Sequence, residues 1–291
     1  MNIAIASGKG GTGKTTVSAS LARIWPNPVI AVDMDVEEPN LHLFLKPEIT
    51  HSENAYMDIP VADTSKCTYC RACSELCQFK AIAVFGDILM VFPEMCHGCG
   101  GCMAICPEGV LTVGKRELGD VSWGKSGEVD FISGRLRVGE AMSPPLMREV
   151  KKHVASLNPV NAKDVIVDAP PGVSCPAVNA VMDSDVILLV TEPTPFGLYD
   201  LQLACTAFQP LGKPLAVIIN RWGIGNQGVE DFCRQTGIPI LANIPYQRDI
   251  AEAYSRGETI VDVIPAVKSI FTTLVERIRS LVAVPKETEH A

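Results

Sequence analysis

The sequence is short of positive charge: 25 lysines and arginines against 33 aspartates and glutamates leave a formal net charge of -8. Without a basic excess there is no electrostatic footprint for nucleic acid, and thiolate-bound clusters would only add to the negative balance. Long apolar runs are missing too. Every hydrophobic stretch meets a charge or a proline before membrane-spanning length, so no membrane span is expected. No secretory leader is read either, because Met1, Asn2 and Ile3 run directly into the first predicted strand. The expectation is a cytoplasmic protein, and 291 residues, 47% of them hydrophobic, suffice for one large domain and a small one.

Cysteine, by contrast, is plentiful, with eleven in the chain. Eight form two quartets, Cys67-Cys70-Cys73-Cys77 and Cys96-Cys99-Cys102-Cys106, each spaced x2, x2, x3. That spacing resembles the run by which bacterial ferredoxins hold [4Fe–4S] clusters. The second quartet repeats the first at an offset of 29, and Ala81-Ile82-Ala83-Val84 keeps step with Val110-Leu111-Thr112-Val113, as a duplicated two-cluster unit requires. In such ferredoxins the fourth cysteine of each run ligates the other cluster. The resemblance therefore implies one cluster on Cys67, Cys70, Cys73 and Cys106, and another on Cys96, Cys99, Cys102 and Cys77. Two zinc sites are the alternative, although zinc favours C-x2-C pairs separated by a longer loop. A disulfide framework fits poorly with a chain able to build its own core. Pro107 follows the last cysteine, whereas Gln78 follows Cys77 and keeps a backbone N–H; this difference would make the two potentials unequal. His97 reads as a solvated loop residue, since four thiolates are already supplied.

A second motif opens the chain. Gly8-Lys9-Gly10-Gly11-Thr12-Gly13-Lys14-Thr15-Thr16 lies between a predicted strand, Asn2 to Ala6, and a helix from about Lys14 to Ile24. In that context the loop N–H groups surround a phosphate, Lys14 supplies a point charge and the Thr15 hydroxyl meets Mg2+. Further buried strands are expected at Val29–Asp33, Asp164–Asp168, Asp185–Val190, Leu215–Asn220 and Pro239–Ala242. Most have continuous apolar runs, as strands covered on both faces must. Helices are expected at Pro145 to Val154, Gly197 to Phe208, Gly228 to Gln235 and Val267 to Val282, and short antiparallel strands between Lys115 and Glu140. The fold class is α/β: a doubly wound, mostly parallel P-loop NTPase sheet with an inserted α+β two-cluster ferredoxin domain. The expected division is 1–59 for the first part of the ATPase domain, 60–114 for the insert and 115–291 for the second part.

Lys9-Gly10-Gly11-x-Gly13-Lys14-Thr15-Thr16 resembles the deviant P-loop of the MinD/ParA ATPases and the nitrogenase iron protein. The resemblance implies that Lys9 reaches the phosphates of a partner in an ATP-sandwiched homodimer. Asp33-Met34-Asp35 resembles the first switch, with Asp35 positioning the attacking water and Asp33 supporting Mg2+. Asp168-Ala169-Pro170-Pro171-Gly172 resembles the second, with Asp168 on Mg2+ and the Gly172 N–H sensing the γ-phosphate. Asn220 and Arg221 resemble the adenine-recognition pair, and Ile244-Pro245 the loop over the base. The implied catalytic residues are Asp35, Lys9 and Lys14.

Cys175, seven residues beyond Asp168, has the spacing of a cluster-ligating cysteine in the nitrogenase iron protein. Either it shares a third, labile cluster across a dimer, or it is a buried or redox-inert thiol; Cys205 and Cys233 read as core residues. The function implied is ATP hydrolysis coupled to electron transfer toward an unidentified redox or cluster-acceptor protein, with ATP/ADP, Mg2+ and two [4Fe–4S] clusters. An iron–sulfur scaffold or carrier ATPase, and a MinD-type positioning ATPase with sensing or structural clusters, are the alternatives.

Overall fold

The computed structural model describes residues 1–283, so the end of the last expected segment, 284–291, lies outside the described residues. The expected βαβ opening is present as β1 (Asn2–Ala6), α1 (Lys14–Ile24) and β2 (Val29–Asp33). After it come α2 (Leu41–Leu45) and β3 (Glu48–Ala62), then α3 (Ala72–Leu76), β4 (Ile82–Phe85), β5 (Ile88–Val91) and α4 (Gly101–Ile105). The chain continues through β6 (Leu111–Ser126), β7 (Val129–Leu136), α5 (Ser143–Leu157), β8 (Asp164–Asp168), α6 (Cys175–Val181), β9 (Val186–Thr191) and α7 (Pro195–Phe208). It closes with β10 (Leu215–Trp222), α8 (Gly228–Thr236), β11 (Ile240–Pro245), α9 (Arg248–Ser255), α10 (Ile260–Val263) and α11 (Pro265–Ala283).

One nine-stranded sheet has the order β11-β10-β9-β1-β8-β2-β7-β6-β3, parallel from β11 to β7 and antiparallel across β6 and β3. Continuous apolar strands follow from burial on both faces. Ala4, Ala6, Ile30 and Val32 pack on the α5–α8 side, while Ile3, Ile5, Val29 and Ala31 pack under α1, α10 and α11. Among the described residues no helix is long and apolar enough to cross a membrane.

The sheet's antiparallel edge departs from expectation. Instead of short strands between Lys115 and Glu140, β6 begins at Leu111 and runs sixteen residues. It pairs with β3 from Ala62↔Leu111 to Glu48↔Lys125, forming a long arm. Glycine misleads here because it marks close approach inside strands rather than turns: a Cβ on Gly124 would lie 1.9 Å from the Glu48 carbonyl oxygen. The strand β3 had no signal of its own. Glu48 to Asn54 are exposed, and alternation begins only at buried Ala55, Met57 and Ile59.

At the end of the arm, between β3 and β6, the cysteine segment folds as two matched halves. The short 3-10 turns Thr64–Lys66 and Pro93–Met95, and helices α3 and α4, are each related by the offset of 29. Hydrogen bonds repeat as well: the Asp63 N–H donates to the Val110 carbonyl at 2.9 Å, and the Phe92 N–H to the Ala81 carbonyl at 2.8 Å. So does the left-handed backbone, with Tyr69, Arg71 and Lys80 at φ 54°, 67° and 55° matching Gly98, Gly100 and Gly109 at 66°, 74° and 62°. The halves differ in their attachment. Cys96 and Ala81 join the main core with Met57 and Ile59, whereas Cys73, Ile82, Val84, Val110 and Leu111 form a separate small core.

Candidate functional site

The glycine loop leaves the carboxyl end of β1 and enters α1 through Gly13, whose φ of 94° is left-handed. A side chain there would also collide with Asn220, whose Nδ2 would lie 2.3 Å from a Cβ. Asn220 Nδ2 donates to the Thr12 carbonyl at 2.8 Å, and an Arg221 guanidinium N–H donates to the Gly11 carbonyl at 3.2 Å. The two residues expected at the base thus also hold the phosphate loop in shape. The Gly172 N–H donates to the Ser7 carbonyl at 3.0 Å, so the second-switch glycine is held against the loop's first residue.

Two carboxylates close the site from below. Asp33 and Asp168 end neighbouring parallel strands in direct register and are buried. Asp33 accepts from the Asp35 N–H at 3.1 Å and the Leu41 N–H at 2.9 Å, tying the first switch to α2. Asp168 accepts from the Ser18 hydroxyl at 2.8 Å. Burial, then the Asp168 charge, drives Asp33 well above the ordinary carboxylate range. Burial likewise raises Asp168, against the pull of Lys14, and lifts half-buried Asp35 to about 6.

These residues fit a magnesium nucleotide. Lys14 is 7% exposed and forms no ion pair within 4 Å among the described residues, while its charge is felt by both Asp35 and Asp168. The Thr12 hydroxyl is buried without a hydrogen-bond partner among the described residues. Three acids set against one buried lysine lack positive charge, which a divalent cation would supply, while the lysine and the N–H-rich end of α1 suit phosphate. Lys9 lies elsewhere: its Nζ is 2.5 Å from Glu192 Oε1 and 4.0 Å from Asp200 Oδ2, within its own chain. Glu192 also receives Arg221 at 2.8 Å.

The eight cysteines of the two quartets line two cavities. Cys67, Cys70, Cys73 and Cys106 line one cavity with Val84, Leu89 and Val110. Cys77, Cys96, Cys99 and Cys102 line another, beside Asp58 and Pro60 of the arm. Electrostatic contacts sort the same way: burial raises the Cys73 thiol, helped by Cys106 and Cys70, and burial raises Cys102, helped by Cys96 and Cys99. No three His, Cys, Asp or Glu side chains among the described residues converge as for a single metal ion. Four thiols spread around a cavity suit a cube of irons, each taking one thiolate. Two backbone donors already point at sulfur, Ala81 to Cys77 Sγ at 3.3 Å and Gly98 to Cys96 Sγ at 3.4 Å. His97 is exposed and stacks on Phe79 with centroids 3.5 Å apart.

Of the remaining thiols, Cys205 and Cys233 are buried, with burial pushing them up to about 11 and about 12. Cys175 is exposed at the start of α6, which corrects the buried-thiol reading. Ser18, Glu192 and Asp200 were not anticipated from sequence. Ser18 lies one turn beyond Lys14 on the same helix face, and Glu192 follows the buried strand β9, so both carried a usable positional signal.

An uncharacterized protein of Methanocaldococcus jannaschii is 31% identical over 264 residues, 90% of this chain and 91% of that protein. Ferredoxin-1 of Chlorobaculum tepidum is 33% identical over 57 residues, 18% of this chain and 92% of the ferredoxin. An iron–sulfur cluster carrier protein of Aquifex aeolicus is 24% identical over 133 residues, 40% of this chain and 36% of the carrier. In fold, the chain is similar to the cell division ATPase MinD of Pyrococcus furiosus, with a TM-score of 0.56, 23% identity, and 96% and 98% of the two chains covered. Residues 3–260 match the CobQ/CobB/MinD/ParA nucleotide binding domain, and the chain belongs to that family.

Proposed function

We propose that this chain hydrolyses ATP as a nucleotide-sandwiched homodimer and couples that cycle to electron transfer through two [4Fe–4S] clusters. The observation that carries the reading is the crossed gathering of eight thiols around two cavities, at the end of an arm in the same sheet as the switch aspartates. The division is an ATPase domain over 1–59 and 115–291 and a ferredoxin-like insert over 60–114. Mg2+ would neutralise phosphate charge, held by Thr15, Asp33 and Asp168. Gly8 to Thr16 wrap the phosphates, Lys14 pairs with them, Asp35 orients the attacking water, and Asn220, Arg221 and Pro245 surround the base. Lys9 exchanges Glu192 for the partner subunit's nucleotide. The clusters supply reversible one-electron storage, with the exposed thiols Cys70 and Cys99 facing an acceptor protein in the cytoplasm.

The test is anaerobic purification with iron counting and electron paramagnetic resonance, with and without MgATP, on wild type and Lys14→Ala. About eight irons per chain are expected, two four-iron clusters, with a nucleotide response that Lys14→Ala removes. Zinc in place of iron, or spectra indifferent to nucleotide, would overturn it. A scaffold or carrier role is a second reading, favoured by the exposed Cys175 and the likeness to a cluster carrier. Under that reading, Cys175→Ser loses chelator-labile iron.

A further inference from the structure

The geometry points to Arg116, Glu140 and Ser143 as positioning residues that carry the state of the first switch to the second cysteine set and not to the first. The inference rests on the reading of nucleotide-coupled clusters above. Glu140 is a buried acid outside both sites, its side chain 2% exposed, against Arg116 at 5%. Its Oε1 accepts from the Ala141 and Met142 N–H groups at 3.0 Å each and from Arg116 at 3.1 Å, fixing the entry to α5. Arg116 also donates to the Pro93 carbonyl, which accepts the Cys96 N–H at 3.1 Å. One carbonyl therefore ties the arginine to the backbone of a cysteine in the second set.

The other end of the path lies in the switch. The Ser143 hydroxyl, first residue of α5, donates to Glu37, two residues beyond Asp35. Alongside it the Leu136 N–H donates to the Val36 carbonyl at 2.8 Å. Hydrogen bonds and short chain segments thus run from Asp35 through Glu37, Ser143, Glu140 and Arg116 to Pro93 and Cys96.

The duplication shows what is special about this path. The halves match in turns, helices, hydrogen bonds and left-handed residues, and Thr64 matches Pro93, its carbonyl accepting the Cys67 N–H at 3.1 Å. At the position matching Arg116 stands Asp87, which is exposed. Past Phe85 the first half turns into the β4–β5 hairpin where the second half continues along β6, and among the described residues no side chain donates to the Thr64 carbonyl as Arg116 does to Pro93. Burial of the Arg116–Glu140 pair costs desolvation and need not add stability, which suits a role in positioning.

Ser143→Ala and Glu140→Gln test this in the full chain: Ser143→Ala strands no charge, and after Glu140→Gln Arg116 keeps an amide oxygen to donate to and Glu94 at 3.8 Å, whereas an Arg116 truncation would strand a buried carboxylate. Hydrogen exchange of the 94–96 amides and paramagnetic resonance of the reduced protein are measured with and without Mg2+ and a non-hydrolysable ATP analogue. In wild type, nucleotide should alter exchange at 94–96 and the signal that Cys96→Ser removes, leaving the matching amides at 65–67 unchanged. In each variant the exchange response should fall about fivefold, the worth of one hydrogen bond, with iron content and nucleotide affinity retained. Variants that keep the wild-type response, or a wild type that responds equally at 65–67, overturn the relay while leaving the coupling intact. A wild type that binds nucleotide and iron yet shows no response overturns the coupling itself.

Discussion

Lys9 Nζ and Glu192 Oε1 stand 2.5 Å apart within one chain, although we propose that this lysine reaches another subunit. Burial alone would raise the Glu192 carboxyl, but Lys9 and Arg221 hold it below the ordinary range. The glutamate is therefore a charged competitor for Lys9, and dimerisation by the proposed route would first break this pair.

Glu192→Gln should accordingly favour the dimer. A partly buried, screened ion pair is worth roughly 0.5–1 kcal/mol and a dimer breaks two of them, so the concentration for half-dimerisation with a non-hydrolysable ATP analogue should fall about 5- to 30-fold. Sedimentation across a dilution series measures it, with Lys9→Ala remaining monomeric.

Asp35 should make the nucleotide-free protein less stable at neutral pH. Its folded pKa of about 6 lies above the unfolded value, so its ionised form destabilises the native state above pH 6. At pH 7.5 Asp35→Asn should add about 1–2 kcal/mol, discounted for partial exposure. The gain should shrink as pH falls through 6 and vanish near 4, as denaturant titrations of both proteins will show. Hydrolysis should drop roughly 100-fold in the same variant, because the attacking water loses its orientation.

Crossing of the thiols predicts which variants share a spectrum. Cys106→Ser should alter the same paramagnetic signal as Cys67→Ser, and Cys77→Ser the same as Cys96→Ser. If Cys106→Ser matched Cys96→Ser instead, each run would serve its own cluster and the crossed assignment would fail.

The repeat carries backbone strain on one side only. Lys80 and Gly109 share a left-handed conformation, with φ of 55° and 62°. Lys80→Gly should stabilise the protein by about 0.5–1 kcal/mol, less whatever the freer unfolded chain takes back. Gly109→Ala should cost about 1 kcal/mol, purely through the backbone, since a Cβ there meets nothing within 4 Å. Paired denaturation curves on the cluster-loaded protein decide both.

The central sheet was legible because β1, β2, β8, β9 and β10 are apolar on both faces, a signal that needs no knowledge of their neighbours. The two quartets and their repeat were legible in the spacing of the thiols, whereas which thiols share a cluster is implied only by the resemblance to two-cluster ferredoxins. β3 was not: its first seven residues are exposed, and what makes them a strand is the ladder to β6, more than fifty residues away. Glu192 and Ser18 escaped for a related reason, since their partners Lys9 and Asp168 lie 183 and 150 residues away along the chain. Local chemistry announces a loop; it does not announce who restrains the loop.

Each cavity takes three thiols from one run and the fourth from the other. Neither half of the duplication is therefore a working unit. A nascent chain that has emerged only as far as Val91 would carry four thiols and no complete cavity; the second cavity waits for Cys102 and the first for Cys106. The interlock ties both cavities to the second run, so that neither forms from the first run alone.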